Sequence, residues 1–519
     1  MAKFYVTTAI VYVNDRPALH YLYELVAADV LARYHRMLGD ETFFLTGTDE
    51  HSQNVERVAR EQGLSPTDYS DRMAQVYREV EARFGISYDR FIRTEDEDHG
   101  RGVTALITAI QAKGDIYKGT YSGWYCVSCE AYYLESELNN GYCRIHPTRK
   151  AIFLEEQNYF FALSRYQDRL EQHLQRHPDF IQPESRRNEI LGWIKAGLRD
   201  FSISRSAVRW GIPFPGDPEH VVYVWGDALV NYISGVGYGT DMQQFKRWWP
   251  ADLHIIGKDI TRFHVLYWPA MLMSAGLPLP KRIWGHGWML YRGERTSKSA
   301  GTAIDPNEAA TRFGADAVRY LLMRELPFDR DGEISWEIMT ERFNADLAND
   351  LGNFVYRSLS MLQRYFDGRV PAPDPETTGA DRQLRTAFER AVRGLDRRLR
   401  NLDFSGALEL VFTAINRGNK YIEESAPWLL ARQSDQRRRL QTVMYNLVEC
   451  IRLTSYLVAP VIPETARKIA AQVGADPQLR IPWSSARTWG KLAPRTQTSM
   501  GEVLFPRIEK EREPQPVGG

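Results

Sequence analysis

Three of the four cysteines fall within 18 residues, in the order Cys126-x2-Cys129-x13-Cys143-x2-His146. Each short pair is a chelating unit, so three thiolates and one imidazole can close on a single tetrahedral ion, and a Cys3His set suits structural zinc. The stretch around them, Ile116 to Lys150, is crowded with Tyr, Gly and Cys and short of aliphatic residues, which points to a metal rather than a core as its support. The same residues also read as three buried thiols and a surface histidine. Clustering of this kind argues for metal over disulfides.

A second group is Leu45-Thr46-Gly47-Thr48-Asp49-Glu50-His51, which ends an apolar run. At the carboxyl edge of a parallel sheet, Asp49 can pair with an ammonium group; equally, Thr48 or Asp49 can cap a helix. A third is the small-residue loop Gly293-Glu294-Arg295-Thr296-Ser297-Lys298-Ser299-Ala300-Gly301-Thr302. Such a loop can approach phosphates and its lysine can neutralise developing charge, although a lone loop lysine is usually solvated surface.

These groups need a scaffold, and the flanking sequence describes one. Phe4 to Val13 is β-branched and aromatic throughout, as in a strand buried on both faces. After a loop, Asn14 to Pro17, apolar residues recur at Leu22, Val26, Val30, Tyr34 and Leu38, which predicts an amphipathic helix ending near Gly39. A strand over Thr42 to Thr46 then completes a right-handed β-loop-α-β unit. His220 to Trp225 and Leu253 to Ile256 read as further strands. The expected fold is an α/β doubly wound, Rossmann-like domain with a zinc-knuckle insertion, followed by an all-α helical bundle. The expected division is residues 1–115 and 216–340 for the two halves of the sheet domain, 116–215 for the insertion with the knuckle at 126–146, 341–500 for the bundle and 501–519 for a C-terminal tail, frayed from about Glu509.

Composition narrows the function classes. The chain has 519 residues, 43% hydrophobic and 25% charged, which excludes a single small module and a disordered chain. No apolar run approaches the roughly 20 residues of a membrane helix. No secretory signal is evident, so a cytoplasmic location is expected; the sequence carries no oligomer signal, and a monomer is expected. Lys+Arg and Asp+Glu are both 66, so a polyanion must meet a local patch rather than a global field.

Taken together, YVTTAIVYVN, FLTGTDEH, the cysteine cluster, YVWGDAL, IGKDITRFH, the SKS loop, DLGNFVYR and ESAPW occur in the order found in class I methionyl-tRNA synthetases, and the chain resembles that family over nearly its whole length. The resemblance implies a methionine pocket formed by Ile10, Tyr12, Trp225, Ala228, Tyr232 and His264, with Asp49 on the ammonium group. It implies ATP contacts at Ala18, Glu24, Gly257, Asp259, Arg295, Ser297 and Lys298, with Mg²⁺ accompanying the ATP. It also implies an anticodon-reading set, Asn353, Arg357 and Trp428; a spacing of four puts the first two on one helix face, and a Trp is a platform for an unstacked base. The arginine-dense segments Arg382 to Arg400 and Arg437 to Arg439 are phosphate contacts or solvated faces.

The sequence departs from the family at its ATP signatures. The His-Ile/Leu-Gly-His motif reads Ala18-Leu19-His20-Tyr21, and Lys-Met-Ser-Lys-Ser reads Arg295-Thr296-Ser297-Lys298-Ser299. The catalytic groups expected are therefore Lys298, with His20 or Tyr21 as replacement donors. The function implied is ATP-dependent activation of methionine, or a similar amino acid, and its transfer to tRNA. Two alternatives go with the altered signatures: a paralogue serving a non-tRNA acceptor in small-molecule biosynthesis, and a catalytically weakened tRNA-binding or amino-acid-sensing protein.

Overall fold

The computed structural model describes residues 2–127, 131–144, 150–206, 208–296, 301–479 and 482–509. The chain forms two compact units, one of Ala2–Ala28 and Glu41–His286, the other of Asp29–Asp40 and Gly287–Gly519. Among the described residues no helix is long and apolar enough to cross a membrane.

The first unit is built on a parallel sheet. In chain order its opening elements are β1 (Lys3–Thr8), β2 (Val11–Tyr12), α1 (Leu19–Leu38), β3 (Glu41–Asp49), α2 (Gln53–Glu61), α3 (Pro66–Arg83), β4 (Arg90–Arg93) and α4 (Glu97–Ala112). The sheet runs β2-β3-β1, then strands Leu253–Gly257, Ile283–His286 and Ile181–Gln182, with β4 on the free side of β3. Every pairing is parallel. The doubly wound class and the split by an insertion therefore hold. The central strands are buried at Tyr5, Val6, Phe44, Leu45, Ile255 and Ile256, as continuous apolar runs require when helices cover both faces.

Two expected strands differ. Phe4 to Val13 is not one strand but two, because four residues advance against three of β3 between the pairs Thr7↔Leu45 and Val11↔Thr48. This one-residue bulge frees the Ala9 N–H to donate to both Glu24 and the Ile255 carbonyl, and a bulge is a common device for re-aiming side chains beside a site. His220 to Trp225 is not a strand of the parallel sheet either. Its first part belongs to the strand Asp217–Val222, which pairs antiparallel in a small separate sheet, and its end turns into the short helix Val224–Asp227. An apolar run of this length satisfies either setting, and local sequence does not distinguish them.

The insertion opens with β5 (Ile116–Cys126), β6 (Ala131–Tyr133) and β7 (Ile152–Phe161), an antiparallel set closed by Phe201–Ser202. The second unit is mainly helical. Its long members are Asn353–Phe366, Gly379–Arg400, Phe404–Ser425 and Arg437–Val458. In Gly379–Arg400 the residues Leu384, Phe388, Ala391, Leu395 and Leu399 form the buried stripe that a helical period predicts. Its start is capped by the Thr378 hydroxyl, which accepts from the Asp381 N–H, while Asp381 accepts from the Thr378 N–H. The tail beyond residue 509 lies outside the described residues.

Candidate active site

β3 carries Asp49 to the carboxyl edge of the sheet, where it is buried and registered opposite Tyr12 of β2. Gly47 makes this edge possible: a Cβ there would stand 1.8 Å from the Ile92 carbonyl oxygen, so only a hydrogen fits between β3 and β4. Neither Thr48 nor Asp49 caps the next helix; Ser52 does, its hydroxyl accepting from the Val55 N–H. Asp49 is thus left to the sheet edge.

Around that edge stand aromatic residues from distant parts of the chain. Tyr232 is held by its carbonyl, which accepts from the Tyr5 hydroxyl at 2.7 Å, and its ring lies 4.2 Å from His254. The Tyr232 hydroxyl is 2.7 Å from His264 Nε2, and His264 Nδ1 is 3.1 Å from the Ile260 carbonyl. A carbonyl only accepts, so Nδ1 carries the proton, and Tyr232 donates into Nε2. Burial drives the His264 pKa down to about 4, which keeps this imidazole neutral. Trp225 stacks face to face on Phe263 at 3.6 Å, one residue before His264. Ala228 is buried, and Ile10 and Tyr12 pack against the same core cluster as Trp225 and Tyr232. Burial first, and then the nearby carboxylates Glu24 and Asp49, raise the Tyr232 pKa well above its ordinary value. Of the residues expected around the amino acid, Tyr232 and His264 touch directly and Trp225 stacks on the residue before His264, while Ile10 and Tyr12 lie against the same apolar core.

What joins them was not anticipated. His51 Nδ1 lies 2.7 Å from Asp227, and its Nε2 bonds to Glu95. Both partners are carboxylates, so both ring nitrogens donate and His51 is an imidazolium. Burial opposes that charge, but Asp227 and Glu95 outweigh it and hold the His51 pKa at about 10. Burial likewise opposes ionisation of Asp227, yet His51 and His99 bring its pKa down to about 2. His99 Nε2 donates to the second Asp227 oxygen at 2.7 Å, and its Nδ1 pairs with Ser234 at 2.9 Å. The strand end bearing Asp49 is thereby tied to the turn bearing Trp225 and Ala228. His51 and Asp227 both sit inside quoted motifs, FLTGTDEH and YVWGDAL, and an ionisable residue in each was the only signal of their pairing.

The residues expected at the nucleotide form a second set. Glu24 accepts from the Ala9 N–H at 2.7 Å and from His286 Nε2 at 3.0 Å. Burial raises its pKa, while His286 works against the rise. Gly257 and His286 are register partners at the ends of adjacent strands, and a Cβ on Gly257 would come within 2.6 Å of Asp259. Sequence reasoning overlooked His286.

The altered signature residues are dispersed. Ala18 and Leu19 are buried, and His20 is exposed in the first turn of α1. Tyr21 was expected as a replacement donor, but its hydroxyl is turned inward onto Glu81, with its ring edge-on to Tyr77. A bulky phenol at this position is drawn into the core, where burial pushes the Glu81 pKa up to about 8. In the second unit, the Arg295 guanidinium lies over the Trp288 ring at 4.7 Å, and Thr296 is pinned to the Met289 carbonyl through its N–H and hydroxyl. Ser297 and Lys298 lie outside the described residues.

Of the expected metal ligands, Cys126 and Cys143 are buried, while Cys129 and His146 lie outside the described residues. In the helical unit, Asn353 is exposed at the start of its helix, Arg357 bonds to Glu423 at 2.6 Å, and Trp428 is half-buried just beyond that glutamate. Part of the arginine-rich surface is engaged internally: Arg439 pairs with Asp381 and Arg385 with Glu389.

A split parallel sheet with a buried carboxylate and aromatic cluster at its carboxyl edge, joined in one chain to a helical unit, is the architecture of a class I aminoacyl-tRNA synthetase. The family described as tRNA synthetases class I (M) matches residues 4–143 and 133–359, and the anticodon binding domain of methionyl tRNA ligase matches residues 370–515. The methionine–tRNA ligase of Caldanaerobacter subterraneus subsp. tengcongensis is 46% identical over 511 residues, which span 98% of this chain and 80% of that protein. That of Thermotoga maritima is 42% identical over 510 residues, again 98% and 80%. The Mycobacterium tuberculosis methionyl-tRNA synthetase in complex with methionyl-adenylate superposes with a TM-score of 0.94 at 42% identity, covering 98% of this chain and all of that one. The chain belongs to the methionyl-tRNA synthetase family.

Proposed function

We propose that the chain activates methionine with ATP as the aminoacyl-adenylate and passes the methionyl group to a tRNA. The observation that carries this reading is a buried carboxylate, Asp49, at the strand end in register with Tyr12, together with the Tyr232–His264 hydrogen bond and the Trp225 ring stacked on Phe263. Aromatic faces and a neutral imidazole suit a polarizable thioether, and a short carboxylate suits the amino acid's ammonium end. In this reading Ile10, Tyr12, Trp225, Ala228, Tyr232 and His264 surround the side chain. The substrate carboxylate, held in line, attacks the α-phosphorus and pyrophosphate leaves. Glu24, Gly257 and Asp259 are assigned to the adenosine, and Arg295, Ser297 and Lys298 to the phosphate charge. Mg²⁺ accompanies the ATP and neutralises its phosphates. Because Ala18 cannot donate and Tyr21 is engaged by Glu81, the phosphates meet fewer donors than the family signature supplies, and each missing donor costs about 10²–10³ in rate. His20, exposed at the start of α1, is the remaining candidate donor there.

Asn353, Arg357 and Trp428 are assigned to the anticodon. Cys126, Cys129, Cys143 and His146 are assigned to one structural zinc; the buried Cys126 and Cys143 side chains, in a segment with few aliphatic residues, fit that group. Elemental analysis is expected to find one zinc per chain, lost with Cys126→Ser. Methionine-dependent ATP–pyrophosphate exchange, followed by charging of the methionine tRNA, tests the main reading. Exchange with methionine and not with leucine is expected. No exchange and no charging, at enzyme concentrations that would reveal a loss of about 10⁶-fold, the most that two missing donors cost, overturns it.

A further inference from the structure

The face of the Asn353–Phe366 helix that bears Asn353 and Arg357 also bears Tyr356, which is 51% exposed. Positions three and four apart share a helix face, so Asn353, Tyr356, Arg357, Ser360 and Arg364 form one strip, roughly 16 Å long at 1.5 Å per residue. Arg364, like Asn353, is exposed. The C-terminal segment runs alongside: the Ser360 hydroxyl reaches Met500 Sδ at 4.0 Å, and Tyr356, Leu359, Met500 and Val503 line one shallow depression. Met500 and Val503 are 40% and 57% exposed. A single exposed apolar residue needs no explanation, but an aromatic ring, a thioether and a valine gathered beside an amide and two guanidinium groups do.

We propose that Tyr356, backed by Met500, is a second stacking platform for an unstacked base of the tRNA anticodon loop, and that Arg364 meets the backbone phosphate beside it. The mixed chemistry of the strip selects this occupant. An apolar peptide would leave Arg357 and Arg364 desolvated against it, whereas a single-stranded nucleotide offers a π-face to the ring and an anionic phosphate to the guanidinium. The strip is continuous with Asn353 and Arg357, and Met500 and Val503 fall inside the matched anticodon-binding region. The proposal rests on the RNA-binding part of the function proposed above and extends it to residues outside that set.

The test is fluorescence anisotropy of the full chain with an RNA stem-loop carrying the CAU anticodon, and with the same loop made abasic one position at a time. Tyr356→Ala is expected to weaken binding about 5- to 150-fold, the value of one base–aromatic stack, while Tyr356→Phe keeps it. At one loop position the abasic RNA should bind the unaltered chain and Tyr356→Ala equally, and Arg364→Gln should lower the salt slope by about one. Two results separate this inference from the reading beneath it. Normal binding by Tyr356→Ala with loss in Trp428→Ala overturns the platform and leaves anticodon recognition standing; no binding by the unaltered chain overturns both. Equal loss in Tyr356→Ala and Tyr356→Phe also overturns it, because stacking does not need the hydroxyl.

Discussion

Asp49 and His51 are two residues apart on one strand end, yet their environments send them to different tasks. Asp49 is buried at the end of β3 in register with Tyr12, and in the proposed reading its carboxylate meets the ammonium group of the amino acid. Replacing it with Asn should raise the KM for methionine about 10- to 150-fold, the worth of a charge-assisted hydrogen bond, as read by methionine titration of ATP–pyrophosphate exchange. His51 instead neutralises Asp227 in the interior. Removing one partner of such a buried pair costs about 3–5 kcal/mol, so His51→Asn should lower the thermal midpoint by several degrees. The pH dependence follows from the direction of the shift. The His51 pKa is raised from 6.5 to about 10, so its contribution is complete below about 6.5 and is lost as pH rises through 10. Thermal unfolding between pH 7 and pH 10 should therefore fall more steeply in the unaltered chain than in His51→Asn; parallel curves would contradict the imidazolium assignment.

At the level of elements, the proposed reception of ATP depends on the bulge between β1 and β2 and on the first turn of α1. The bulge presents the Ala9 N–H to Glu24, and His286 secures the other carboxylate oxygen, so this acid is oriented before any ligand arrives. The helix start offers less. Tyr21 has exchanged a surface role for a core one, and its hydroxyl bond to Glu81 is part of how α1 packs against α3. Restoring the family residues with Ala18→His and His20→Gly together should raise methionine-dependent exchange by about 10²-fold or more, since one donor returns and the side chain at the glycine position disappears. Adding Tyr21→His should cost stability, about 1–3 kcal/mol, because Glu81 loses its buried donor. Chemical denaturation of the double and triple variants separates the two effects.

Across the whole molecule, two compact units share one chain. In the proposed reading, the first holds the residues assigned to the amino acid and the adenosine, and the second holds Arg295 and the helices assigned to the anticodon. Truncating Trp428 to Ala should therefore raise the KM for tRNA about 5- to 150-fold in charging assays at saturating methionine, since one base loses its stacking partner. A net charge of zero accords with this arrangement, because recognition of the polyanion is left to a local strip rather than to the field of the whole protein.

The sequence by itself determined the parallel sheet, the helical second half and the family, because those rest on continuous apolar runs, helical periods and contiguous motifs, all of them local. It also singled out the aromatic residues proposed for the amino acid, through motifs rather than through any contact it could express. It misjudged His220 to Trp225, since an apolar run is compatible with either a central strand or a small antiparallel sheet leading into a helical turn. The tertiary structure alone decided that His51 and Asp227, 176 residues apart, form a buried ion pair. It alone decided that Tyr21 faces Glu81 and that His286 steadies Glu24. Each of these depends on which distant carboxylate shares a dry interior with which donor, and only folding brings those groups within hydrogen-bonding distance.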